Sequence, residues 1–154
     1  MLDAFFITLN NFDNVLFYCL IPVAIWLGWG WRPAAKVFFI LVVSRITNVT
    51  LKEIFHIPRP CQIDPSLGLI PIQGFSFPSG AAQVAFLLSS LLLSYSKTVW
   101  TLSFSVLYVG LISYSRLYLG VHFPSDILGG WLVGYILFLF YKRLNRNSLD
   151  LLRN

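Results

Sequence analysis

Arg116, His122 and Asp126 stand in the stretch Ser115–Asp126 (SRLYLGVHFPSD), between two hydrophobic runs long enough to cross a membrane. Ionisable side chains at the edge of a bilayer are costly and call for a chemical reason. Phosphoryl transfer supplies one. The planar fork of an arginine suits phosphate oxygens, and a histidine can attack phosphorus. An aspartate on the other ring nitrogen fixes the tautomer and stabilises the cationic ring. Two further segments offer groups for the same chemistry. Lys52 and Arg59, in KEIFHIPRP, lie seven residues apart, two helical turns, so both can face one pocket. Pro78-Ser79-Gly80 fits a helix start, where Ser79 would cap and the free backbone N–H groups would face an anion. Neither a metal nor a cofactor is expected. The chain has two histidines and no carboxylate cluster, and positive side chains over the phosphoryl oxygens would do the work of Mg²⁺.

Composition decides where these groups must be held. The 154 residues are 57% hydrophobic and 11% charged, with mean hydropathy +0.75. A soluble domain of this size carries about twice that charged fraction. The length is one domain's worth, residues 1–154. A net charge of +5 raises nucleic acid as a partner, but in a membrane chain it reads first as loop asymmetry, and no nucleic acid is expected. Cys19 lies in an apolar run and Cys61 in a loop, poorly placed to pair. Met1–Asn14 has no Lys or Arg ahead of its apolar stretch, so no cleavable signal peptide is expected.

The expected fold is an all-α integral membrane bundle. A bilayer core of roughly 30 Å needs about 20 apolar helical residues. Five segments qualify, at about 15–31, 34–56, 79–96, 98–118 and 125–142, and Met1–Phe12 reads as an amphipathic interfacial helix. Seven of the eleven basic residues fall on one face of this arrangement: Arg32, Lys36, Lys97, Lys142, Arg143, Arg146 and Arg153. The other face holds Asp3, Asp13, Glu53, Asp64 and Asp126, with Lys52, Arg59 and Arg116. The positive-inside rule then puts the C-terminus in the cytoplasm and the three chemical segments outside. Trp26, Trp29, Trp31 and Trp100 would mark the cytoplasmic boundary.

Together the three segments resemble the signature motifs K-x6-R-P, P-S-G-H and S-R-x5-H-x3-D of the type 2 phosphatidic acid phosphatase and vanadium haloperoxidase superfamily. The nearest likeness is to its small bacterial membrane lipid phosphatases. Order, spacing and topological face agree from about residue 34 onward. The resemblance implies hydrolysis of a membrane lipid phosphate or diphosphate at the periplasmic face of an inner membrane. His122 would form a phosphohistidine, Asp126 would orient it, and Lys52, Arg59, Ser79, Gly80 and Arg116 would bind phosphate. A lipid phosphotransferase and a non-catalytic lipid-phosphate binder are the alternatives.

One position departs from the pattern. Ala81 stands where the family has the histidine that protonates the leaving oxygen. General acid catalysis contributes roughly 10²–10⁴-fold. Three explanations are open: a change that disables the site, a natural enzyme whose substrate needs no acid, or a relative that only binds. His56, one turn beyond Lys52, is read chiefly as a polar residue at the membrane interface near a helix end, and otherwise as a stand-in acid. Arg45, in mid-span, is read chiefly as a structural charge with a packing partner, and otherwise as an extension of the basic pocket. Ser115 bonds either backbone or substrate, Gly130-x3-Gly134 indicates close helix packing, and the loop 61–77 either covers the site or merely connects.

Overall fold

A computed structural model describes the backbone of residues 1–12 and 15–150, and the side chains of 1–10 and 18–145. Asp13 and Arg153, assigned above to opposite faces, lie outside the described residues, as does the side chain of Arg146. The described residues contain helices and no strand. They are α1 (Leu2–Phe12), α2 (Val15–Trp29), α3 (Trp31–Phe55), the short α4 (Pro60–Ile63), α5 (Gly80–Tyr95), α6 (Val99–Tyr118) and α7 (Pro124–Asp150). A 3₁₀ turn covers Pro65–Leu67.

The helix ends follow local chemistry. Gly30, at φ 95°, separates α2 from α3. His56 ends α3 in the left-handed conformation at φ 50°, its N–H donating to the Lys52 carbonyl. Pro58 follows, and the residue before a proline disfavours the helical region, so the chain turns away there. Thr98 caps α6 by accepting from the Thr101 N–H. Two expected spans differ in length. α5 has 16 residues, about 24 Å, less than a bilayer core. α7 continues to Asp150, beyond the expected end at 142, because no proline or glycine interrupts its polar last turns. α3 and α7 contain segments long and apolar enough to cross a membrane; α5 and Tyr18–Trp29 of α2 are shorter apolar helices.

α5 is the central element, packed between α6 and α7, while α2 packs on α3. Gly130 and Gly134 let α7 press against α5. A Cβ at Gly130 would lie 2.6 Å from the Ser79 carbonyl oxygen, and one at Gly134 would lie 2.6 Å from that of Gln83. Ile40, Leu87, Leu91, Leu137 and Tyr141 fill the core below this contact. α3 is tied to α5 by polar groups. Asn48 Nδ2 donates to Gln83 Oε1 at 3.0 Å and to the Pro78 carbonyl at 3.2 Å. Gln83 Nε2 donates to the Ser44 carbonyl at 2.9 Å and to its Oγ at 2.8 Å.

The loop 61–77 folds back over one end of the bundle. The Cys61 N–H donates to the Gly120 carbonyl and the Leu69 N–H to the Leu119 carbonyl, both at 3.1 Å. Gly120, at φ 67°, passes so close to the Leu67 carbonyl that no side chain fits there. Phe6 of α1 packs with buried Leu119 and Val121, and Ile70 and Ile72 close over them. Tyr118 donates to Asp3 at 2.6 Å. The loop is therefore a cover and not a bare connector, and α1 is part of the same end.

Candidate active site

Lys52, Arg59, Gly80, Ala81, Arg116 and His122 line one cavity of about 490 Å³. They come from the end of α3, the following loop, the start of α5, the end of α6 and the turn before α7. The side chains of Lys52, Arg59, Arg116 and His122 are each held by backbone or neighbouring polar groups.

His122 is buried, and its two ring nitrogens have different partners. Nδ1 lies 3.3 Å from Asp126 Oδ2, which also accepts the Phe123 N–H at 2.7 Å. Nε2 faces Arg59 Nη1 at 3.2 Å. A guanidinium can only donate, so Nε2 is the unprotonated acceptor and Nδ1 carries the hydrogen given to Asp126. Geometry alone thus selects the tautomer with its hydrogen on Nδ1, whose Nε2 lone pair meets Arg59 at the cavity. Burial pushes the imidazole pKa down to about 4; the hydrogen bond to Asp126 opposes this, and the charges of Arg59 and Lys52 add to it. The ring is therefore neutral at pH 7, the form in which an imidazole can act as a nucleophile. With His56→Gln leaving one histidine, imidazole NMR of the chain in micelles should show His122 neutral from pH 8 down to about 4. A midpoint near the ordinary 6.5 would contradict the burial argument.

The cations are positioned by carbonyls. Lys52 Nζ donates to the carbonyls of Phe75 at 2.5 Å and Ser76 at 3.1 Å. Arg59 is buried, with Nε on the Gly74 carbonyl and Nη1 on the Val121 carbonyl, each at 3.0 Å. Arg116 is buried and donates to Asn10 Oδ1 of α1. Sequence reasoning had not placed α1 at the site; an asparagine at the end of a short amphipathic helix is no signal by itself. Asn48, Gln83 and Ser44 were also missed, although polar residues inside apolar spans ask for partners. Ser44, Asn48 and Lys52 fall at helical four-residue spacing, which would have shown their common face.

The remaining expectations divide. Gly80 opens α5 as expected, and a Cβ there would press on Asn48 Oδ1 at 3.0 Å. Ser79 occupies the N-cap position without a side-chain cap bond. It is fully buried, its N–H donates to the Asp126 carbonyl at 3.0 Å, and its hydroxyl has no hydrogen-bond partner among the described residues. Ser115 bonds backbone, donating to the Ile112 carbonyl at 2.6 Å. Ala81 is buried against Ala85 and Ile112 while still lining the cavity. His56 fits the interfacial reading and not the stand-in acid: in the left-handed conformation its exposed ring packs on Phe75 at 4.5 Å, and it is not among the residues that line the cavity. Arg45 corrects the structural reading. It is exposed on the cavity wall, with no hydrogen bond or ion pair among the described residues.

The family model for the PAP2 superfamily matches residues 33–150. The chain belongs to the PAP2 superfamily. An undecaprenyl-diphosphatase of Sulfolobus acidocaldarius is 35% identical over 106 residues, 64% of this chain and 50% of the relative. The chain thus spans half the length of that curated relative. Among solved structures, a transmembrane PAP2-type phosphatidylglycerolphosphate phosphatase from Bacillus subtilis superposes with TM-score 0.75 at 26% identity, covering 95% of this chain and 77% of the other. LpxE of Aquifex aeolicus gives TM-score 0.78 at 28% identity, over 92% and 86%. A PAP2 fold shared with a transmembrane chain, together with two segments of spanning length, places this protein in a membrane.

Proposed function

We propose that this PAP2 chain hydrolyses a lipid phosphate or diphosphate through a phosphohistidine at His122. One observation carries the reading: the unprotonated Nε2 of His122 faces Arg59 in a cavity also lined by Lys52 and Arg116, with Nδ1 held by Asp126. Phosphate entering that cavity draws the arginine fork onto its oxygens and uncovers the lone pair. Nε2 attacks phosphorus, the ester or anhydride bond breaks with its electron pair on the departing oxygen, and Asp126 stabilises the charged ring. Lys52, Arg59, Arg116 and the first-turn N–H groups of α5 spread the charge of the transferring group. Water then attacks phosphorus and returns the lone pair to Nε2, releasing inorganic phosphate. The undecaprenyl-diphosphatase and phosphatidylglycerolphosphate phosphatase relatives support a lipid substrate.

The deciding assay follows labelled phosphate from a prenyl diphosphate and from phosphatidate, in detergent, with His122→Ala as the blank. Free phosphate supports a hydrolase, label on an acceptor lipid a phosphotransferase. Label that stays on the substrate lipid leaves only a binding protein.

The same reading puts α2, α3, α5, α6 and α7 across an inner membrane, α1 at its surface, the site on the periplasmic side and the C-terminus in the cytoplasm. It rests on the basic residues gathered at the end opposite the site. Single cysteines, placed after Cys19→Ser and Cys61→Ser, test it. Leu67→Cys in the cover loop should react with a membrane-impermeant maleimide on intact cells, and Lys97→Cys between α5 and α6 should not. The reverse pattern would invert the topology.

A further inference from the structure

Among the described residues, Arg45 is the cation on the cavity wall that the signature motifs leave without a role, and its place along α3 suggests one. The cavity-facing stripe of that helix reads, from the site inward, Lys52, Asn48, Arg45, Leu41 and Phe38. Lys52 and Arg45 are two turns apart, roughly 10 Å along the axis. The depth of Arg45 is set by its neighbour Ser44, which is bonded to Gln83 of α5. Arg45 therefore sits near the depth of the first turn of α5, which carries Ala81, the position that lacks the acid. It is exposed to the cavity, and among the described residues no carboxylate lines that wall. An unpaired guanidinium inside a spanning helix is costly, and an anionic ligand would offset the cost. Beyond it the wall turns apolar, with Phe38 and Leu41 facing Tyr18 and Cys19 of α2.

We propose that Arg45 binds the lipid-linked phosphoryl group of a lipid diphosphate whose terminal phosphoryl group lies at His122, making the diphosphate the preferred substrate. The inference rests on the lipid phosphatase reading above. The order of groups along α3, cation cluster, second cation, apolar wall, matches the order along such a lipid: terminal phosphate, linking phosphate, chain. A lipid monophosphate has no charge to offer at the second position. In the transfer step Nε2 of His122 bonds to the terminal phosphorus and the bridging P–O bond breaks. Its electron pair stays on the lipid monophosphate, which leaves unprotonated with Arg45 taking up its charge. Water completes the turnover, yielding inorganic phosphate and neutral His122. Arg45 and the missing acid are then one feature, because a phosphate leaving group needs a cation more than a proton.

Calorimetric binding of farnesyl methylenebisphosphonate and farnesyl phosphonate to the detergent-solubilised chain tests this without turnover. The bisphosphonate should bind at least about tenfold tighter, the value of one charge-assisted arginine–phosphate contact. Arg45→Gln should bring that ratio near one, and Arg45→Lys should leave an intermediate ratio. A parent ratio near one, or a ratio that survives Arg45→Gln, overturns the proposal. Should Arg45→Gln bind neither probe, the Arg45→Lys ratio decides: intermediate supports, unchanged overturns. Phosphate release from farnesyl diphosphate, measured against His122→Ala, judges the hydrolase reading separately. A binding preference without turnover retires the hydrolase and keeps the Arg45 site; turnover with an unaltered ratio does the opposite.

Discussion

His122→Ala is expected to lower phosphate release by at least about 10⁴-fold, because in the proposed mechanism the nucleophile and the phosphoenzyme disappear together. Remaining catalysis would come only from the cations that bind the transferring group. Asp126→Asn should cost about as much as the loss of a triad aspartate, roughly 10⁴-fold, through a different physical route. Asp126 Oδ2 accepts both the Phe123 N–H and the His122 ring hydrogen. An amide there can present its NH₂ to Nδ1 and favour the tautomer whose hydrogen lies on Nε2, blocking attack. Single-turnover labelling separates the two variants. The parent should carry acid-labile, base-stable phosphate, and His122→Ala should carry none. Turnover by His122→Ala within tenfold of the parent would remove His122 from the mechanism.

Ala81→His should raise turnover of phosphatidate by about 100-fold and that of a lipid diphosphate by much less. The difference lies in the leaving group. An alkoxide is strongly basic and must be protonated as it departs, whereas a lipid monophosphate is a weak base and leaves as an anion. Ala81 stands on the first turn of α5 and opens on the 490 Å³ cavity, so an imidazole has space to reach the departing oxygen. Ala81→Gln, of similar bulk but unable to act as the acid, controls for packing against Ala85 and Ile112. Equal gains of 100-fold on both lipids would mark Ala81 as a disabling change in an ordinary phosphatase. No gain on either, beside good diphosphate turnover by the parent, would mean that this chain dispenses with the acid.

Much of this site was legible in the sequence because its chemistry is local. S-R-x5-H-x3-D puts His122 one turn before Asp126, and the structure finds the two side chains in contact. The helix start at Pro78-Ser79-Gly80 and the close packing at Gly130 and Gly134 were readable for the same reason: each depends on backbone geometry within a few residues. Helix ends were less so. The extension of α7 to Asp150 follows from an absence of breakers, while hydropathy alone stops where polarity begins.

The sequence by itself determined the helical membrane class, the set of cations, the His–Asp pair and the alanine at position 81. Tertiary structure decided which groups meet. It turned His56 away at the end of α3 and brought Asn10 to Arg116 across 106 residues of sequence. It also laid Arg59 on Nε2 of His122, which selects the tautomer with its hydrogen on Nδ1. It set Arg45 on the cavity wall instead of in a buried ion pair. The physical reason is common to all four. A residue's type and its helical phase are local properties, but its partner is chosen by how whole helices pack, and that depends on volumes and polar contacts distant in the chain.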